Sequence, residues 1–143
     1  MTSRLALSLL DRFYGDQPHP YQVFEQQVRA CLERRPGTLL DIGCGREAPV
    51  LRRFKGQARE LVGLELVDYR VQDPHLTLLT GTSSSIPMAD ESVDVVMARS
   101  VMEHVEDPQA AFREIHRVLK PGGAFVFLTA NIWDYATIIA MMV

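Results

Sequence analysis

A chain of 143 residues, 47% hydrophobic and 23% charged, is long enough for one compact α/β domain and short for two. Its formal charge of -3 and its scattered arginines give no basic footprint of the kind a phosphate backbone requires, which argues against nucleic acid as a partner. Cys31 and Cys44 stand in neither CxxC nor metal-ligand spacing, so the pattern offers no metal site and fits a reduced, cytoplasmic setting, while the apolar run from Leu5 to Leu10 is too short for a signal core or a membrane span.

Residues 1–35 read as a helical lead-in, because Tyr21, Phe24, Val28 and Leu32 recur at helical spacing between Pro20 and the Pro36-Gly37 breaker. A domain over residues 36–143 follows. Five short apolar runs in it, at 38–42, 60–65, 76–79, 93–98 and 124–129, each suit a strand buried on both faces, as in a parallel sheet. Between the fourth and fifth runs lies the clearest helix. It opens on Asp107 as N-cap with Pro108 in the first helical position, and Ala111, Phe112, Ile115, Val118 and Leu119 form its apolar stripe. Lys120 is placed to complement the helix dipole, and Pro121-Gly122-Gly123 supplies a stop and a tight turn. Strands alternating with helices imply right-handed crossovers and a doubly wound, Rossmann-like parallel sheet.

The first strand run ends in Asp41, and Gly43 and Gly45 let the backbone turn tightly beneath a ligand. The run from Gly43 to Ala48 also satisfies the GxGxxA form of a dinucleotide fingerprint, so glycine spacing alone does not choose the ligand. Glu65, at the end of the second strand run, can accept from two ribose hydroxyls and does not choose either. Asp41 discriminates: a carboxylate two positions before the first glycine crowds a pyrophosphate but welcomes the ammonium of an amino-acid tail. Glu47, near the start of the expected next helix, adds negative charge that is unhelpful to a diphosphate. Cys44 reads as a small turn residue without a catalytic task.

Four blocks in order, LLDIGCG, GLELVD, the stretch from Gly81 to Pro108, and EIHRVLKPGGAFVFLTAN, resemble the class I S-adenosylmethionine-dependent methyltransferases of small molecules, of the type 11 kind, over residues 36–130. The resemblance implies S-adenosylmethionine as cofactor, a sheet in the order 3-2-1-4-5, Asp41, Gly43 and Gly45 at the methionine part, and Glu65 on the ribose. It places Thr82 where the family often has an adenine-binding acid, and an ordinary residue, Glu47, where the family often has glycine. Arg99, at the end of the fourth strand run, can meet the cofactor carboxylate or pair with a neighbouring acid. His104 is the candidate general base near the crevice mouth; otherwise Glu103 and His104 structure the loop.

Transfer of a methyl group to a small-molecule acceptor is the expected activity, and a non-catalytic S-adenosylmethionine-binding fragment or partner subunit is the alternative. A nicotinamide-dependent oxidoreductase is permitted by GxGxxA and opposed by Asp41. The closing stretch, with Trp133, Ile138, Ile139, Met141 and Met142, holds more apolar surface than one short helix can bury. The expectation from it is a chain that lacks the family's last two strands and self-associates through its exposed C-terminal edge.

Overall fold

The computed structural model describes residues 15, 17–68 and 73–129. Helix α1 (Pro20–Arg34) starts where Pro20 presets the first helical φ and His19 caps it. The His19 Nδ1 accepts from the Tyr21 amide at 3.2 Å, and the Gln22 side chain accepts from the His19 amide at 3.2 Å, so two orphan donors are satisfied reciprocally. Phe24, Val28 and Leu32 are buried, as their spacing requires. Tyr21 departs from that stripe and remains 44% exposed.

The strands β1 (Thr38–Ile42), β2 (Glu60–Glu65), β3 (Leu76–Thr80), β4 (Val93–Arg99) and β5 (Leu119–Leu128) form one parallel sheet in the order β3-β2-β1-β4-β5. This is the expected topology. Phe24, Val28 and Leu32 of α1 pack with Leu39, Leu51, Phe54, Leu61 and Val95 on one face. Ile115 and Val118 of α2 (Pro108–Val118) pack with Leu40, Ile42, Val62, Leu64 and Val96 on the other. Burial on both faces holds for β1, β2 and β4; β3 and β5, each with one strand neighbour among the described residues, are only partly covered.

A helix in every crossover is not found among the described residues. From β1 to β2 there is a single 3-10 turn, Leu51–Phe54, bracketed by Pro49 and Gly56, which leave no room for a longer helix. Leu51 and Phe54 eclipse one another at three residues per turn and are both fully buried, so one turn suffices to seal the core. From β3 to β4 the chain runs as a loop pinned by α2. Glu114 accepts from the Ile86 amide at 2.9 Å and grips Arg117 at 2.7 and 2.8 Å. Arg117 in turn donates to the carbonyls of Ile86 and Met88 and to Asp90. Those hydrogen bonds, from Arg117 first and then from Ile86, hold the Glu114 carboxyl down at about 2.

The expected role of Lys120 is also corrected. Helix α2 ends at Val118, since Leu119 takes extended angles and pairs with Val93 in the sheet. Lys120 therefore lies in β5, with its Nζ 2.6 Å from Asp94, and the Pro121-Gly122-Gly123 segment forms an irregularity inside β5 rather than a turn before it. Asp94 is buried and also accepts from the Thr38 amide at 2.9 Å. Burial opposes its ionisation, but the Lys120 and Thr38 hydrogen bonds prevail and hold its carboxyl below the usual range. The clamp ties the start of β1 to β4 and β5. Gly37 lies against it so closely that a Cβ there would fall 1.8 Å from the Asp94 carboxylate.

Gly37→Ala is accordingly expected to destabilise the fold by about 2 kcal/mol in urea unfolding, because the pinned carboxylate has no room to retreat. In an Asp94→Gly background, which also removes the Asp94 Cβ that would stand 2.8 Å away, the same substitution is expected to cost much less. Equal costs in the two backgrounds would show that Asp94 is not the obstacle.

Candidate functional site

Strand β1 has β2 on one side and β4 on the other, so the connections leaving β1 and β4 diverge and open a crevice at the carboxyl ends of the strands. Gly43 and Gly45 turn there with φ of +69° and +73°. At Gly43 a side chain is excluded twice over, since a Cβ would also fall 2.4 Å from Val101. The backbone turn thereby forms a floor shared by two adjoining cavities.

The smaller cavity, about 390 Å³, is lined by Asp41, Cys44, Gly45, Glu47 and Arg99 among others. Asp41 is 4% exposed and stands opposite Gly63 and Met97 in the sheet. Burial pushes its carboxyl up to about 8; the charge of Arg99 acts the other way, and that of Glu65 adds to the rise. A cationic group placed beside so poorly compensated an acid would favour its ionised form. Cys44 is buried as well, and burial followed by the charges of Asp41 and Glu65 pushes its thiol up to about 12, which leaves it protonated and unsuited to nucleophilic work.

The larger cavity, about 740 Å³, is lined by Gly43, Glu65, Thr82, Ser100 and His104 with apolar neighbours such as Val101. Glu65 accepts from the Gly45 amide at 2.9 Å with one carboxylate oxygen and from the Leu66 amide at 2.9 Å with the other. Each oxygen retains a further lone pair, so the acid can bind a pair of hydroxyls while it holds the glycine turn. His104 closes the 3-10 turn Met102–His104 and is exposed toward the cavity. Capping of α2 falls to Asp107, whose carboxylate accepts from the Ala110 amide at 2.9 Å, while Glu103 accepts from the Thr129 hydroxyl at 3.0 Å.

The seven residues singled out from the sequence thus divide between two cavities that meet at Gly43: Asp41, Gly45 and Arg99 with the smaller, Glu65, Thr82 and His104 with the larger. Sequence reasoning did not find Ser100. It holds a φ of +56° at the end of β4, an uncommon conformation for a residue with a Cβ, with its amide fixed to the Leu128 carbonyl at 2.7 Å. No pattern of residue types announces such a turn. Met97 is fully buried, and Met88 and Met102 pack at the edge of the second core, so the methionines serve packing. Trp133, Tyr135 and the closing apolar stretch, with the self-association expected of it, lie outside the described residues.

The family model described as "Methyltransferase domain" matches residues 40–127. The chain belongs to this methyltransferase family. An uncharacterized methyltransferase of Mycobacteroides abscessus is 32% identical over 91% of this chain and 54% of its own length. Among solved structures, the YcgJ protein of Bacillus subtilis aligns at 25% identity with a TM-score of 0.67, covering 76% of this chain and 50% of that one. An S-adenosylmethionine-dependent methyltransferase of Mesorhizobium loti aligns at 26% identity with a TM-score of 0.61, covering 74% and 52%. The chain spans between 26% and 54% of the length of the curated relatives it matches.

S-adenosylmethionine is the cofactor of this methyltransferase fold, and the residues present fit it. An amino-acid end calls for an acid and a base in one small cavity, and Asp41 and Arg99 line such a cavity; a ribose calls for a carboxylate, and Glu65 lines the adjoining one. A dinucleotide fits poorly. A diphosphate would need an α-helix N-terminus after the glycine turn, and the first helical element after Gly45 is a four-residue 3-10 turn.

The raised carboxyl of Asp41 gives two pH dependences. An acid whose folded value lies above its unfolded one withdraws stability as pH rises, so the unliganded fold is expected to weaken from the ordinary carboxylate range up to about 8. A ligand ammonium favours the ionised form, so affinity for S-adenosylhomocysteine is expected to climb with pH toward about 8, with proton release on binding. Calorimetry in buffers of different ionisation enthalpy measures both quantities. A pH-independent affinity, or one unaltered in shape by Asp41→Asn, would remove Asp41 from the ammonium site.

Proposed function

We propose that this domain binds S-adenosylmethionine across the carboxyl ends of β1, β2 and β4 and serves methyl transfer to a small-molecule acceptor. The observation that carries the reading is the pairing of a buried, undercompensated Asp41 with Arg99 in one cavity, next to a Glu65 whose carboxylate is already oriented by the Gly45 amide. In this arrangement Asp41 takes the ammonium, Arg99 the carboxylate and Glu65 the ribose hydroxyls. Thr82 stands at the rim of the larger cavity and offers its hydroxyl to the base. When bound, the cofactor supplies a methyl carbon on a sulfonium, a good leaving group, so catalysis rests chiefly on positioning. His104 holds the proton lost by an acidic nucleophile on the acceptor, and Val101, Val105 and Ala110 give the larger cavity an apolar wall. No helix of the described residues is long and apolar enough to cross a membrane.

Titration with S-adenosylhomocysteine and with a nicotinamide dinucleotide tests the binding reading; tighter binding of the dinucleotide would sink it. Glu65→Ala is expected to cost roughly 1.5 to 3 kcal/mol of cofactor binding through loss of charged hydrogen bonds, and Thr82→Asp to tighten binding through a charge-assisted bond. For the chemical role, His104→Ala is expected to lower turnover while leaving cofactor affinity nearly unchanged. Unaltered turnover would return His104 to the structure of its loop.

A further inference from the structure

Tyr21 is anomalous in α1, since it stands in register with the buried Phe24, Val28 and Leu32 yet packs into neither core. Its ring meets the His19 ring edge-on at 4.9 Å between centroids, and His19 is itself fixed by the cap of α1. Over the Tyr21 ring lies the Arg99 guanidinium, 4.6 Å from the centroid. Among the described residues Arg99 enters no ion pair, a state it shares with Arg34, Arg35, Arg46, Arg59 and Arg113, and what sets it apart is the aromatic ring against it. Its charge is nevertheless felt at Asp41, and both residues line the smaller cavity.

We propose that Tyr21 is a positioning residue that holds Arg99 over the Asp41 cavity and so sets the affinity for the α-amino-acid end of the ligand. A carboxylate partner would also orient the guanidinium, but it would neutralise the charge and occupy its donor edge. An aromatic face binds the plane of the guanidinium and leaves the charge and the N–H fork available to a ligand carboxylate. Asp41 is the complementary group for the ammonium, so the pair selects a zwitterion over a simple anion or cation. Through Tyr21, the helix that precedes the sheet takes part in the site. This inference rests on the reading that the amino-acid tail of S-adenosylmethionine fills the smaller cavity.

The test compares S-adenosylhomocysteine with methylthioadenosine, the thioether nucleoside that lacks the amino-acid tail. Tyr21→Leu is expected to weaken S-adenosylhomocysteine about fivefold and to leave methylthioadenosine unchanged, whereas Tyr21→Phe, which keeps the aromatic face, retains the affinity of the unsubstituted chain for both. In an Arg99→Ala background Tyr21→Leu is expected to have no further effect, because the group it positions is gone. Thermal unfolding is expected to move little, Tyr21 being half exposed and outside both cores. Equal weakening of both ligands, full additivity with Arg99→Ala, or undiminished S-adenosylhomocysteine binding in Tyr21→Leu would each overturn the proposal while leaving the cofactor reading intact. An unsubstituted chain that binds methylthioadenosine but not S-adenosylhomocysteine would overturn both.

Discussion

In a parallel sheet every strand end of one polarity lies on the same edge, and at one point the connections diverge to opposite sides. Here that point falls between β1 and β4. The divergence leaves uncovered the backbone that follows Ile42, and the glycine turn, Asp41, Glu65, Arg99, Ser100 and His104 gather there. Moving β4 to the other side of β1 would bury these groups or scatter them. The crevice is a consequence of strand order before it is a consequence of any one side chain.

Strand order sets a place, and electrostatics decides what enters it. Asp41 occupies an interior position that a hydrophobic residue would fill at lower cost, with another acid nearby and only Arg99 to offset it. Such a group weakens the empty fold and is relieved by a cation, so stability forgone in the absence of ligand reappears as affinity in its presence. Glu65 works differently. It is satisfied on both oxygens by backbone amides before any ligand arrives, which fixes its direction without consuming its remaining acceptors.

Two other polar assemblies brace the sheet and the loop after β3. The Asp94, Lys120 and Thr38 clamp joins β1, β4 and β5 at the edge of the sheet remote from the crevice. The Glu114 and Arg117 assembly ties the loop after β3 to α2, and that loop carries Gly81, Thr82 and Ser83 into the larger cavity. In a loop without a helix of its own, this anchoring gives the Ile86 amide and the Met88 carbonyl their partners. Both assemblies combine charges with backbone groups, the arrangement in which a partly buried ion is most fully satisfied.

The sequence by itself determined the strands, their parallel arrangement and the residues at their carboxyl ends, because period, apolar runs and glycine spacing act over a few neighbouring positions. Asp41, Glu65 and Arg99 stood out as candidates for the same reason, each within or next to the end of a run that reads as strand, whereas Thr82 was singled out by the family resemblance and His104 by the block that follows the fourth run. Tertiary structure alone decided the rest. That Lys120 meets Asp94 instead of a helix end, and that one 3-10 turn replaces a crossover helix, depend on where the sheet leaves space. That Tyr21 faces Arg99 and not the core joins residues 78 positions apart, and no local pattern encodes an encounter at that separation. The positive φ of Ser100 is likewise imposed by the hydrogen bond to Leu128 on the adjoining strand. Local physics names the groups, and only the closed sheet brings them within reach of one another.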